Sequence, residues 1–288
     1  MKLGIIIPVF NRKLVTLKCI RQLYEQKQEG IEIVIVDDGS RDGTFESISL
    51  NYPDVHIVKG TGSWWYTRSV NEGLKYAEEN LQCDDYLLLN DDILLGEKYL
   101  STITSILYKS KDKNVIYGSL SFDSADQLKP TFLGVRKIVH WRNKQYHYTY
   151  NQYISALQKG IPSWGSTFIP GRGMFFSRNT FLANGFLDES FPQYGSDYEY
   201  SARAKAKGMK AEICLDALLY SYEDLTGSGS PKNKPSFQKF IKSLFNKYSP
   251  TYPLNDGKLI WRHGNRLLMP ISFPIIILGK IKSYLKYR

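Results

Sequence analysis

The chain has 288 residues, ample for one large body with a substantial core, and its 42% apolar content is ordinary for a globular protein. The formal charge is +10, yet seven cations (Lys258, Arg262, Arg266, Lys280, Lys282, Lys286 and Arg288) follow Gly257 with no acid among them, so removing them leaves the remainder near +3. Cys19, Cys83 and Cys214 are far apart and form no CxxC pair, which argues against a zinc site or a disulfide scaffold and fits a reducing, cytoplasmic setting.

The opening run Leu3–Pro8 is too short for a signal-peptide core, has no small-residue cleavage site after it, and reads as a buried strand. Leu14–Gln28 has helical spacing, with Leu14, Leu17, Cys19, Ile20, Leu23 and Tyr24 available for an inner face. A second buried strand, Ile31–Val36, ends at Asp37-Asp38-Gly39-Ser40. A short helix over Thr44–Leu50, a strand Val55–Val58, a helix Thr67–Glu79 and a strand Tyr86–Leu89 follow. Such alternation predicts an α/β fold, a mostly parallel central sheet flanked by helices. Ligands bind such sheets at the carboxyl ends of the strands, so Asn11, Asp37, Asp38, Asp91 and Asp92 should converge on one edge.

The stretch from Tyr117 to Gly171 is rich in Tyr, Trp and polar residues and reads as short strands and loops of unassigned order. Gly171–Ser177 reads as a buried strand and Asp197–Lys207 as a helix stopped by Gly208. The run from Gly227 to Pro235 reads as a flexible, basic connector. The predicted organisation is a body over residues 1–225, with a nucleotide-binding half to about residue 95 and an acceptor half beyond it. The connector and a basic, partly apolar segment occupy residues 226–288.

Chemistry concentrates at strand ends. Leu87-Leu88-Leu89 deliver Asn90, Asp91 and Asp92 to the end of a buried strand. Adjacent carboxylates repel and are costly to desolvate without a cation. They therefore point to a hard divalent ion, Mg²⁺ or Mn²⁺, beside a phosphate-bearing ligand. A plain Asn-Asp turn after a strand gives the same letters. At Asp37-Asp38 an aspartate can accept hydrogen bonds from a base imide or a ribose hydroxyl, and an ordinary Asp-Gly turn again competes. No GxGxxG follows the first strand, which counts against a nicotinamide or flavin enzyme. His56, His140, His147 and His263 lack metal-ligand spacing.

Ile6-Ile7-Pro8-Val9-Phe10-Asn11-Arg12, Val36-Asp37-Asp38-Gly39-Ser40, Asn90-Asp91-Asp92 and the acidic helix start around Gly195-Ser196-Asp197 resemble, in order, the signature blocks of family 2 glycosyltransferases. Gly62-Ser63-Trp64-Trp65-Tyr66-Thr67-Arg68 resembles a branch of bacterial surface-polysaccharide transferases that includes rhamnosyltransferases. The resemblance spans roughly residues 3 to 225. It implies the GT-A nucleotide-diphospho-sugar transferase fold and inverting transfer of a sugar from a UDP- or dTDP-linked donor to a glycan acceptor, lipid-linked in the membrane case.

By the same resemblance Pro8, Phe10, Asn11, Arg12, Asp37, Asp38, Gly62, Trp64, Arg68, Asn90, Asp91 and Arg172 belong to donor binding. Asp92, with Asp91, belongs to the metal, and Asp197 is the base. The family usually has Glu-Asp where this chain has Ser196-Asp197. Many members carry a histidine beyond the base helix, where this chain reads Tyr222-Glu223-Asp224. Either Tyr222 or Glu223 is then a substitute ligand. The apolar run Leu267–Leu278, broken by Pro270 and Pro274 and followed by lysines, fits an interfacial membrane segment, a helix packed on the body, or a contact with a second subunit. The expected setting is cytoplasmic, peripheral on the inner membrane face, with no nucleic-acid partner.

Overall fold

The computed structural model describes residues 1–222 and 235–286; Glu223, Asp224, most of the predicted connector, and Arg288 lie outside the described residues. The first part runs β1 (Leu3–Val9), α1 (Lys13–Gln26), β2 (Ile31–Asp37), α2 (Thr44–Asn51), β3 (His56–Lys59), α3 (Trp65–Glu79), β4 (Asp85–Leu88), β5 (Ile93–Leu95) and α4 (Tyr99–Lys109). It continues as β6 (Val115–Asp123), β7 (Pro130–Phe132), β8 (Val135–Val139), β9 (Lys144–His147), α5 (Tyr150–Gln158), β10 (Ser163–Gly165), β11 (Met174–Ser177), α6 (Arg178–Asn184), α7 (Ser196–Ala206) and β12 (Lys210–Ser221). After the undescribed stretch come α8 (Phe237–Leu244), α9 (Pro253–His263) and α10 (Met269–Lys286).

The central sheet has the order β10-β12-β6-β11-β4-β1-β2-β3. Strands β3, β2, β1 and β4 are mutually parallel, and β6 is parallel to β12. Strand β11 enters between β4 and β6 antiparallel to both. The segment read from sequence as Gly171–Ser177 is thus a shorter strand, and its turn at Gly171-Arg172-Gly173 abuts the end of β4.

The pleat sorts the core into two layers. From β1 and β2, Ile5, Ile7, Ile33 and Ile35 face Cys19, Ile20 and Leu23 of α1, while Ile6, Val34 and Val36 face Val70, Leu74 and Ala77 of α3. Leu14, predicted for the inner face of α1, is instead 81% exposed, because the buried stripe is Thr16, Cys19, Ile20 and Leu23. Helices α4, α5, α6, α8 and α9 were not assigned from sequence. Helix α4 buries Tyr99, Leu100, Ile103 and Leu107, and α5 is opened by a Thr149–Gln152 capping box.

Helix α3 approaches the sheet closely at Gly73. A β-carbon there would lie 2.5 Å from Ile6 Cγ2 and 2.9 Å from Val36 Cγ2, both on strands fixed from each side. Alanine at a helical position gains about 1 kcal/mol in propensity over glycine, whereas overpacking a rigid core costs about 1–3 kcal/mol. The clash wins because neither strand can retreat. We expect Gly73→Ala to lower stability by about 1–2 kcal/mol, read as a lower urea midpoint with an unchanged slope.

Candidate active site

Because β1, β2 and β4 run parallel, their carboxyl ends bring Asn11 and Arg12, Asp37 and Asp38, and Asn90–Asp92 to one edge of the sheet. The two acidic residues after β4 are almost fully buried. Arg12 spans them: Nη1 lies 2.8 Å from Asp91 Oδ1 and Nη2 3.1 Å from Asp92 Oδ2. Thr16, one turn into α1, donates to the second oxygen of Asp91 at 3.0 Å. Burial, reinforced by the charge of Asp92 and opposed by Arg12 and Thr16, pushes the Asp91 carboxyl up to about 6.

The pair is not equivalent. Both oxygens of Asp91 have partners, while Oδ1 of Asp92 and the side-chain oxygen of Asn90 are buried with none among the described residues. Orphaned buried oxygens of this kind are rare and call for an unseen partner. Among the described residues no three His, Cys, Asp or Glu side chains gather as a metal-ligand set. The donor set therefore fits a hard cation shared with a phosphate-bearing ligand rather than an all-protein cage. Tyr222, a proposed substitute ligand, accepts a 2.5 Å hydrogen bond from Lys18, and Glu223 lies outside the described residues.

Asn11 and Asp38 organise the loops around this edge. Asn11 adopts a left-handed backbone (φ 51°), donates its N–H to Ser40 Oγ and accepts from the Arg41 N–H, zipping the β1 and β2 loops together. Pro8 is half-buried within β1, whereas Phe10 is 49% exposed at its end. Asp37 accepts from the Ser40 N–H. The Asp38 carboxylate accepts the N–H groups of Gly62 at 2.8 Å, Trp64 at 2.8 Å and Trp65 at 3.0 Å, and so anchors the start of α3. Trp65 is held with φ 60°, a conformation that costs a bulky residue about 1–3 kcal/mol. Its exposed ring stacks on Tyr248 with centroids 4.0 Å apart. Arg68 sits on the outer face of α3, 5.3 Å from the Trp64 ring and 3.7 Å from Glu72.

The same helix start carries the acidic helix α7. Thr67 donates to the Phe191 carbonyl and contacts Ser196 Oγ at 2.9 Å, its N–H reaches the Pro192 carbonyl at 3.0 Å, and Asn71 exchanges two 2.9 Å bonds with the backbone of Leu187. Asp197 in the first turn of α7 accepts from the Gly171 N–H at 3.1 Å and the Tyr198 N–H at 2.9 Å. Burial raises its pKa above the ordinary value, against the pull of those N–H groups and of Arg172. Tyr66, missed from sequence, packs beside it: a β-carbon at Gly171 would lie 1.9 Å from the Tyr66 hydroxyl, so only glycine fits the turn. Burial, then the charge of Asp197, pushes the Tyr66 phenol up.

Arg172, in the turn before β11, joins the two acidic centres. Burial lowers its pKa, and the charges of Asp92 and Asp197 pull it back up, so all three form one electrostatic cluster. The half-buried guanidinium makes no hydrogen bond or ion pair with another described residue.

This is the architecture of a GT-A glycosyltransferase: a parallel nucleotide-type half, acidic strand ends, and a carboxylate at a helix start reached through an inserted antiparallel strand. The glycosyl transferase family 2 model matches residues 4–179, and the chain belongs to that family.

Among curated relatives, a low-salt glycan biosynthesis hexosyltransferase, Agl10, from Haloferax volcanii is 23% identical over 206 residues, 69% of this chain and 62% of that one. Glycosyltransferase GlyG from Streptococcus pneumoniae is 22% identical over 129 residues, 43% of this chain and 41% of its own length. The chain thus spans less than two thirds of the length of these relatives. Among solved structures, GalNAc-T7 with UDP, GalNAc and Mn²⁺ superposes with TM-score 0.62 at 15% identity, covering 98% of this chain and 57% of that one. The mannosyltransferase PcManGT from Pyrobaculum calidifontis, in complex with GDP-Man and Mn²⁺, gives 0.55 at 16% identity, covering 97% and 75%. These structures share the fold.

Three backbone donors on one carboxylate make Asp38 the anchor of the α3 start. Losing hydrogen bonds to a charged group and the anchoring of a helix start together costs about 2–3 kcal/mol. We expect Asp38→Ala to lose about that much stability, with hydrogen exchange at Trp64–Thr67 accelerating before the rest of α3.

Proposed function

We propose that this chain is an inverting, divalent-metal-assisted hexosyl- or deoxyhexosyltransferase, moving sugar from a UDP- or dTDP-linked donor to a hydroxyl of a bacterial surface glycan. The observation that carries the reading is the turn bearing Arg172: the N–H of Gly171 bonds the Asp197 carboxylate at 3.1 Å, the N–H of Gly173 bonds the Leu88 carbonyl at the end of β4 at 2.9 Å, and the half-buried guanidinium between them has no hydrogen-bond partner among the described residues. A displacement at an anomeric carbon needs positive charge near the leaving diphosphate and a base near the incoming hydroxyl. Arg172 links groups suited to both.

In this reading the edge formed by Pro8, Phe10, Asn11, Arg12, Asp37 and Asn90 receives the nucleotide. Asp38 acts through the loop it holds, presenting Gly62 and Trp64, with Arg68 beside them. Asp92, through its free oxygen, and Asp91 beside it would hold Mg²⁺ or Mn²⁺, which when bound neutralises charge developing on the departing diphosphate. Arg172 binds a diphosphate oxygen. Asp197 takes the proton of the acceptor hydroxyl as that oxygen bonds to the anomeric carbon, while the bond from that carbon to the diphosphate oxygen breaks. Gly171 and Tyr198 fix the carboxylate by their N–H groups, and burial makes it a stronger base than an exposed aspartate. Residues to about 95 form the donor half and residues 96–225 the acceptor half. The similarity to Agl10, a glycan biosynthesis hexosyltransferase, supports a glycan-building role, and a lipid-linked acceptor on the cytoplasmic face is consistent with it.

Asp197→Asn keeps the shape and removes the base, so transfer should fall on the order of 10³-fold while calorimetric binding of the nucleoside diphosphate stays nearly unchanged. Because the carboxyl is raised and must be ionised to accept a proton, the acid limb of the wild-type rate profile should lie above the ordinary aspartate range, activity falling as pH drops through it. Transfer at the wild-type rate by the Asn variant would remove Asp197 from the role, and nucleotide-sugar binding without turnover in the wild type would favour a non-catalytic sugar-binding relative.

Asp92→Ala should weaken Mn²⁺-dependent binding of the nucleoside diphosphate by more than about tenfold and leave the metal-free component unaltered. Equal Mn²⁺ enhancement in the variant would place the cation elsewhere.

A further inference from the structure

We infer that α10 docks flat on an anionic lipid surface through an exposed apolar stripe. The stripe is continuous along one side of the helix: Ile271, Pro274, Leu278, Lys282 and Leu285 follow at helical spacing, preceded by Leu267 in the turn before it. Leu267 is 87% exposed, Ile271 54%, Leu278 63% and Leu285 54%. Soluble proteins seldom line up bare aliphatic side chains over five turns without a partner for them.

The opposite side of α10 is already occupied. Ser272 and Ile276 are buried, Phe273 lies against Gly257 of α9, Tyr284 stacks on Phe240 of α8 with centroids 4.3 Å apart, and Lys280 pairs with Asp256 at 2.7 Å. The helical stretch Arg266–Lys286 is long and apolar enough to cross a bilayer by length and composition, but one face of α10 is packed on protein and carries Lys280 in an ion pair, which favours a helix lying on the membrane over one spanning it. It fits a helix lying in the interface plane, apolar side chains down and lysines reaching the headgroups.

Charge selects the partner. Residues 235–286 contain nine Lys or Arg and a single acid, Asp256, which Lys280 neutralises. Arg266, Lys282 and Lys286 lie exposed at the two ends of the stripe. A second copy would bring the same excess of positive charge against itself, whereas anionic headgroups complement it. A second set of exposed apolar residues, Phe237 and Ile241 in α8 and Phe245 just after it, recurs every fourth residue, and the Phe237 ring is 6.2 Å from that of Tyr284.

Docking would also orient the site. Helix α9 bridges α10 to the base helix: Asn255 donates to the Tyr194 carbonyl, Arg262 pairs with Asp188, and His263 lies 3.4 Å from Glu199 of α7. The candidate base is thereby carried one helix layer from the lipid.

The test is co-sedimentation of the full chain with vesicles of equal parts phosphatidylcholine and phosphatidylglycerol, against phosphatidylcholine alone. We expect binding to the anionic vesicles, weakened at least about tenfold by raised salt or by neutral lipid. Ile271→Glu with Leu278→Glu, both at exposed positions, should abolish it with an unchanged melting temperature. The pair Lys282→Glu and Lys286→Glu should remove the preference for anionic lipid independently. No binding by the wild type, binding untouched by both pairs, or a wild-type dimer that the first pair breaks into monomers would each overturn the proposal, the last assigning the stripe to a second copy. None of these outcomes depends on the transfer reaction.

Discussion

Two carboxylates buried side by side at the end of a central strand repel each other, and the shape of the donor edge follows from how that repulsion is met. Arg12 meets it from the neighbouring strand's loop, bonding one oxygen of each. The tie is also structural, because β1 supplies the guanidinium and β4 the carboxylates, so the charge balance pins adjacent strand ends together. Thr16 completes Asp91 but nothing described completes Asp92. A buried charge bound on one oxygen and bare on the other is costly unless a further cation arrives. The asymmetry between two residues identical in chemistry thus arises from α1, which places a hydroxyl over one and not the other.

A second tie carries the acidic edge to Asp197, the proposed base. Asp38 gathers the backbone at the start of α3, and the next two turns of that helix hold the loop before α7 through Thr67 and Asn71. One helix therefore registers the loop after β3 against α7, and its close seat on the sheet at Gly73 leaves it little room to shift. The position of Asp197 depends on these neutral contacts as well as on the N–H groups of Gly171 and Tyr198 that its carboxylate accepts.

The strands and helices up to Leu89 were legible because apolar runs and acidic strand ends are local signals, and helix-strand alternation implied a mostly parallel sheet, whereas the spatial order β3-β2-β1-β4 is set by pairing that no local pattern states. The site's convergence on one edge was legible for the same reason. The antiparallel insertion of β11 was not, since pairing partners of a short apolar run are not encoded within it. Helix α4 shows Tyr99, Leu100, Ile103 and Leu107 at helical spacing and α5 a Thr-x-x-Gln capping box, so both were readable in principle. The Thr67 and Ser196 contact joins residues 129 apart, and the three N–H groups on Asp38 lie 24 to 27 residues away, which no local pattern announces. Tyr66 reaches the base only because Gly171 lacks a side chain.

The basic character of the C-terminal region divides once the helices are in place. Lys258 donates to the Ser190 carbonyl, Arg262 pairs with Asp188 and Lys280 with Asp256, so these cations are spent inside the molecule, holding α9 to the loop before α7 and α10 to α9. Arg266, Lys282 and Lys286 remain on the outer side with the bare aliphatic stripe. A composition count cannot separate the two groups, because each reads as a lysine or arginine near an apolar run. The fold separates them by the period of a helix: residues one turn apart share a face, so inner cations meet the body and outer cations are left to the surroundings. The six described charges of what looked like one basic tail therefore do two different things, and only the outer set is available to an anionic surface.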